Sequence, residues 1–116
     1  MSAASTRAVL DHHLAALVAG DVDGLMDDYT DDSVLISNLG GGVLKGFDEI
    51  RAMFAAGADM TGWERLVTHV EHEVAYITWK VEGMVDGTDT YVVRDGKITL
   101  QTSYVLFAQA ATRRLA

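Results

Sequence analysis

Near Trp63 the apolar residues of this chain stop recurring at helical spacing and begin to alternate, so a helical half is followed by a stranded half. Ahead of the switch, Leu10, Leu14, Leu17 and Val18 form one stripe over residues 5–19. Ser5 or Thr6 can cap the start, and Gly20 can close the end in the left-handed conformation. Asp21 then caps a second short helix on which Val22, Leu25, Met26 and Tyr29 share a face, which predicts two antiparallel helices joined by a Gly-Asp turn. Thr30-Asp31-Asp32 reads as a polar break before a short strand at Ser33–Ser37. Gly40-Gly41-Gly42 reads as a plain loop, since none of the residues that complete a phosphate-binding motif follows it. A third helix from Phe47 to Ala56 turns Phe47, Ile50, Met53 and Phe54 inward. Beyond the switch come four strands, Leu66–Val70, Val74–Val81, Tyr91–Val93 and Ile98–Phe107, with Asp86-Gly87 and Asp95-Gly96 as hairpin turns. Helices first and a meander after them predict an α+β domain, its helices on one face of an antiparallel sheet.

At 116 residues the chain holds one domain, 1–116. Its net charge of −8 gives an acidic surface that repels phosphate backbones and anionic lipids, so no nucleic acid and no membrane partner is expected. The absence of Cys excludes disulfides, thiolate metal sites and a cysteine nucleophile. No apolar run reaches the roughly 18 residues of a membrane span, and Asp11, His12 and His13 interrupt the run that a signal peptide needs. A cytoplasmic protein is expected. His69, Glu71, His72 and Glu73 resemble a metal cluster, but positions 69 and 72 of a continuous strand face opposite sides, which predicts a charged strand end and no metal site.

Four segments, in this order, resemble the NTF2-like superfamily, and within it the SnoaL-like cyclases and ketosteroid isomerases. They are residues 14–25 from Leu14 to Leu25, then Tyr29-Thr30-Asp31-Asp32-Ser33-Val34, then Gly46-Phe47-Asp48-Glu49-Ile50-Arg51, and lastly residues 89–98 from Asp89 to Ile98. The resemblance implies a cone-shaped fold, in which a curved antiparallel sheet wraps the N-terminal helices around a pocket. It implies dimerisation through the convex sheet face. The isomerase branch uses a Tyr, a carboxylate base and a hydrogen-bonding Asp. Their counterparts here are His13, Ser37 and Asp89, so only the Asp is retained and the steroid-type mechanism is not expected. Where many SnoaL-like proteins carry an inward His and Asp on the last strand, Gln101 and Ser103 stand here.

The residues themselves offer a candidate acid–base pair. On a helical wheel His13 borders the apolar stripe while His12 points to the opposite side, so His13 can face a pocket and meet Asp89. The plainer alternative puts His13 at the edge of the helix interface and Asp89 on a backbone turn. Trp79 shares a face with Ala75, Ile77 and Val81 and is either core or pocket wall. With Tyr29, Ser37, Tyr91, Gln101 and Ser103 it completes the candidate ligand contacts. On the last strand Ile98, Leu100, Tyr104 and Leu106 make a second apolar face, which predicts a homodimer. Three functions fit: a cofactor-free acid–base enzyme acting on a small apolar, oxygen-bearing molecule, a non-catalytic binding module for such a molecule, or a dimerisation domain.

Overall fold

In a computed structural model that describes residues 2–39, 41–57, 60–83 and 85–107, three helices cover one face of a six-stranded sheet. Helix α1 (Ala3–Ala19) is capped by Ser2, not by Ser5 or Thr6. Ser5 sits one turn in and closes a reciprocal capping box with Ser2. Thr6 is fully buried and ties the helix start to a turn at His72 through Oγ1–H to the His72 carbonyl at 2.5 Å. Gly20 closes the helix at φ +69°, and Asp21 caps α2 (Val22–Met26) by accepting from the Gly24 amide.

Tyr29, expected on α2, instead opens β1 (Tyr29–Ser37). The Ile98 amide donates to the Asp28 carbonyl at 2.6 Å and draws the backbone into the sheet one turn early. The polar break at Thr30-Asp31-Asp32 is an irregularity within that strand, folded around Ser33, whose hydroxyl donates to the Ile98 carbonyl at 2.6 Å. Asp31 points away from it and accepts from the Phe47 amide, capping α3 (Gly46–Ala55) after the short β2 (Val43–Lys45). Ile50 is the buried anchor of α3, whereas Phe47, expected inward, is 40% exposed because its position is spent on that cap. Of the triple-glycine loop, Gly40 lies outside the described residues.

The remaining strands are β3 (Trp63–Glu71), β4 (Val74–Val81), β5 (Val85–Arg94) and β6 (Lys97–Phe107), and the sheet order is β2-β1-β6-β5-β4-β3. The sheet is mixed. Four pairings are antiparallel, as expected, but β1 runs parallel to β6. Asp95-Gly96 is a hairpin turn with both residues at positive φ, 52° and 77°. Asp86-Gly87 is not a turn. It lies inside β5, Gly87 directly opposite Trp79, and a Cβ there would run into the indole ring. The β4–β5 turn falls at Glu82-Gly83, with Gly83 at φ +75°. His72 (φ 48°) is itself a turn residue, while His69 stacks on Tyr76 at 6.4 Å.

Helix α1 packs against β3 and β4, and its Leu10 and Leu14 join Ile77, Tyr91 and Val93 in the core. Ile98, expected on the outer face of β6, is buried, because a register shift between Val92 and Val93 turns it inward. The outer face of β6 therefore carries Leu100, Tyr104 and Leu106, with Tyr104 58% exposed. Among the described residues no helix is long and apolar enough to cross a membrane.

Candidate functional site

Between the helices and the concave sheet face lies a cavity of about 960 Å³. Its walls are apolar: Leu17 and Val18 from α1, Met53 and Phe54 from α3, and Trp63, Ile77 and Val105 from the sheet. Among the described residues its polar side chains include His13, Ser37, Thr61, Asp89, Tyr91, Gln101 and Ser103, with the N–H groups of Trp63 and Trp79. Alternation explains the sheet's share, since Gly87, Asp89 and Tyr91 on β5 and Gln101, Ser103 and Val105 on β6 all point inward. Seven of the eight site residues expected from sequence thus reach the cavity wall, Trp79 included. Tyr29 does not; it is 2% exposed and lies beneath the floor.

Asp89 is 8% exposed and accepts four hydrogen bonds. Trp79 Nε1–H and Ser103 Oγ–H reach one carboxylate oxygen at 3.1 and 2.9 Å. Tyr91 O–H and Gln101 Nε2–H reach the other at 3.1 and 3.0 Å. All four donors are uncharged, and together they fill the acceptor sites of a carboxylate. Burial, with the charge of Asp89 adding to it, holds the Tyr91 phenol well above its usual value, so it stays a donor.

The expected direct pair of His13 with Asp89 is not formed. Because Asp89 accepts, Gln101 turns its amide nitrogen toward Asp89 and its oxygen toward Tyr29. The Tyr29 hydroxyl donates to that oxygen, and its own oxygen lies 3.4 Å from His13 Nε2. Two side chains therefore stand between the imidazole and the carboxylate, and Tyr29 serves as a link rather than a ligand contact. Tyr29 is likewise raised well above the ordinary phenol value, by burial first and by the charges of Asp89 and Asp28 second.

His13 instead lies beside Asp28, a residue the periodicity of the sequence does not single out. Nδ1 is 3.4 Å from Asp28 Oδ2, outside hydrogen-bond alignment, which leaves this buried nitrogen without a bonded partner. His12, expected on the opposite side of the helix in solvent, is half exposed and holds Asp28 from that side through Nδ1 at 2.8 and 2.9 Å. That hydrogen bond first, and the charge of Asp28 second, raise the His12 imidazole above its ordinary value. A second residue missed from sequence is Trp63, whose Nε1 is buried with no partner. Its position at the change of period hid it, since alternation assigns a face only once a strand is under way.

The profile of the SnoaL-like domain family matches residues 10–101. No curated protein matches the sequence. Among solved structures, an NTF2-like protein of unknown function from Burkholderia xenovorans LB400 superposes with a TM-score of 0.78 at 23% identity, over 87% of this chain and 82% of that one. A Kribbella flavida protein provisionally named a ketosteroid isomerase gives 0.74 at 13% identity, over 88% and 78%. A Silicibacter protein provisionally named a polyketide cyclase gives 0.70 at 17%, over 93% of each chain. At these identities the structures speak for the fold, and the profile speaks for the family: the chain belongs to the SnoaL-like domain family.

Proposed function

We propose that this protein takes a small, apolar, oxygen-bearing molecule into the cavity and moves a proton on it without a cofactor, with His13 as the acid–base group. One observation carries the reading. The cavity joins apolar walls to a small set of polar groups, and His13 is the single imidazole among them. The provisional isomerase and cyclase names of two structural relatives agree with proton-transfer chemistry. A non-catalytic binding module is the second reading. It is favoured by Ser37 at the position of the isomerase base and by an Asp89 whose acceptor sites are all occupied.

A methyl ketone that fits apolar walls, 2-acetylnaphthalene, separates the two. Binding is read from quenching of tryptophan fluorescence, and proton transfer from deuterium uptake at the methyl group in D2O by NMR. The acid–base reading expects binding with accelerated exchange, and loss of the acceleration but not of binding in His13→Gln. Binding without accelerated exchange leaves the binding module, and absence of binding removes both.

The outer sheet face is proposed as a homodimer interface. Leu66 and Tyr104, 50% and 58% exposed, lie with Leu106 around a shallow depression beside Gly87. Light scattering at micromolar concentration should give twice the chain mass, and a monomer mass would remove this interface.

A further inference from the structure

Among the described residues, two buried side-chain polar atoms lack a hydrogen-bond partner, His13 Nδ1 and Trp63 Nε1, and both residues line the cavity. A buried donor left unanswered costs about 1–3 kcal/mol, so each one asks for an explanation. Beside His13 Nδ1 the protein places the Asp28 carboxylate, 3.4 Å away and out of hydrogen-bond alignment. Trp63 Nε1 has no hydrogen-bond partner from the protein. Its indole lies 6.1 Å from that of Trp79 at an interplanar angle of 31°, yet the two rings have opposite fates. The Trp79 N–H is committed to Asp89, whereas the Trp63 N–H faces no acceptor. The backbone holds Trp63 there, since its amide donates to the Met60 carbonyl at 2.9 Å and it pairs with Val81 across the β3–β4 ladder.

We propose that Trp63 Nε1–H is the cavity's ligand-orienting donor, and that it selects a bound molecule carrying a neutral acceptor oxygen, a carbonyl or an ether, over its hydrocarbon counterpart. The charge of the acceptor follows from the rest of the lining. Among the described residues the lining includes no Lys or Arg, and it includes the Asp89 carboxylate. An anionic ligand would meet a like charge and no counter-ion, whereas an indole N–H, a donor that never ionises here, suits an uncharged oxygen. Asp89 cannot take part directly, because its acceptor sites are filled from within. This inference rests on the reading that the cavity takes a small apolar molecule and adds which atom reads the ligand's oxygen.

Three matched probes test it in the full chain: 2-acetylnaphthalene, its hydrocarbon isostere 2-isopropenylnaphthalene and the anion 2-naphthoate. The native protein should prefer the ketone to the isostere by about tenfold, the worth of one hydrogen bond, and bind naphthoate the least. In Trp63→Phe the ketone-to-isostere ratio should fall to about one, whatever happens to the affinities themselves, because the ratio cancels the lost ring area. Equal affinity of ketone and isostere in the native protein, or a preference that survives Trp63→Phe, overturns the assignment while leaving the cavity reading in place. Failure of all three probes to bind overturns the cavity reading and the assignment with it. Should Trp63→Phe not fold, the native protein still decides. Of its two indole N–H resonances, one should move with the ketone and not with the isostere, and two unmoved resonances reject the proposal.

Discussion

Two buried carboxylates of this molecule are satisfied in opposite ways. Asp89, in the cavity wall, is held by an indole, a phenol, an amide and a hydroxyl, none of which changes charge near neutral pH. Asp28, at the join of α2 and β1, is flanked by two imidazoles, one exposed and one buried. The donors of the first keep their charge across the physiological range, whereas the His12 partner of the second responds to pH. The difference teaches that burial alone does not make a carboxylate a working acid or base; the valences left open by its partners decide.

The comparison can be broken most forcefully at Asp89. Substituting Asp89→Ala leaves four donors without their acceptor and should cost about 2–4 kcal/mol, measured by urea unfolding at pH 7. A loss below about 1 kcal/mol would show that the four bonds are not formed together. Gly87→Ala strikes the same cluster indirectly, since the new methyl displaces the Trp79 ring from its place over β5. The expected loss is about 1–3 kcal/mol, with the Trp79 indole resonance shifted; an unmoved resonance would mean that the strand yields and the ring does not.

The smallest effect sharpens the other side. The folded value of His12 is raised above 6.5 by Asp28, so its contribution to stability is fully present below that pH and is lost as pH rises through the folded value. His12→Ala should therefore destabilise at pH 5.5 and have almost no effect at pH 8.5. Half of the His12 side chain is exposed, so solvent screening keeps the acidic-side loss under about 1 kcal/mol. A loss independent of pH would refute the ion pair.

Strand β4 was legible to its last residue because it is buried on one face only, and strict alternation of Ala75, Ile77, Trp79 and Val81 with polar neighbours has one solution. The Asp95-Gly96 turn was legible for a local reason, two residues that tolerate positive φ. Asp86-Gly87 carries the same local signal and misled, because there the glycine answers a tertiary demand from the Trp79 ring. The cavity's sheet residues could be placed from alternation, yet their partners could not. Asp28 sits sixteen residues from His12, on neither a periodic helix face nor a strand, and only the packing of α2 on α1 brings them together. Likewise nothing in the spacing of Tyr29 and Gln101 announces that they bridge His13 to Asp89, since that link crosses 72 positions of sequence.

The parallel pairing of β1 with β6 has a consequence for how the molecule is made. β6 is the last described strand along the chain, yet in the sheet it stands between β1 and β5 and joins the half that contains β1 and β2 to the meander of β3, β4 and β5. During synthesis both halves must wait for it with an open edge of unpaired amides and carbonyls, and such edges invite association with other chains. The cavity waits too, because Gln101 and Ser103 arrive with β6 and only then can Asp89 collect its full set of donors. Closing contacts of such sequence separation is slow relative to a helical bundle of equal length. Assembly of the site and completion of the fold are therefore one event, and a nascent chain stalled before β6 has neither.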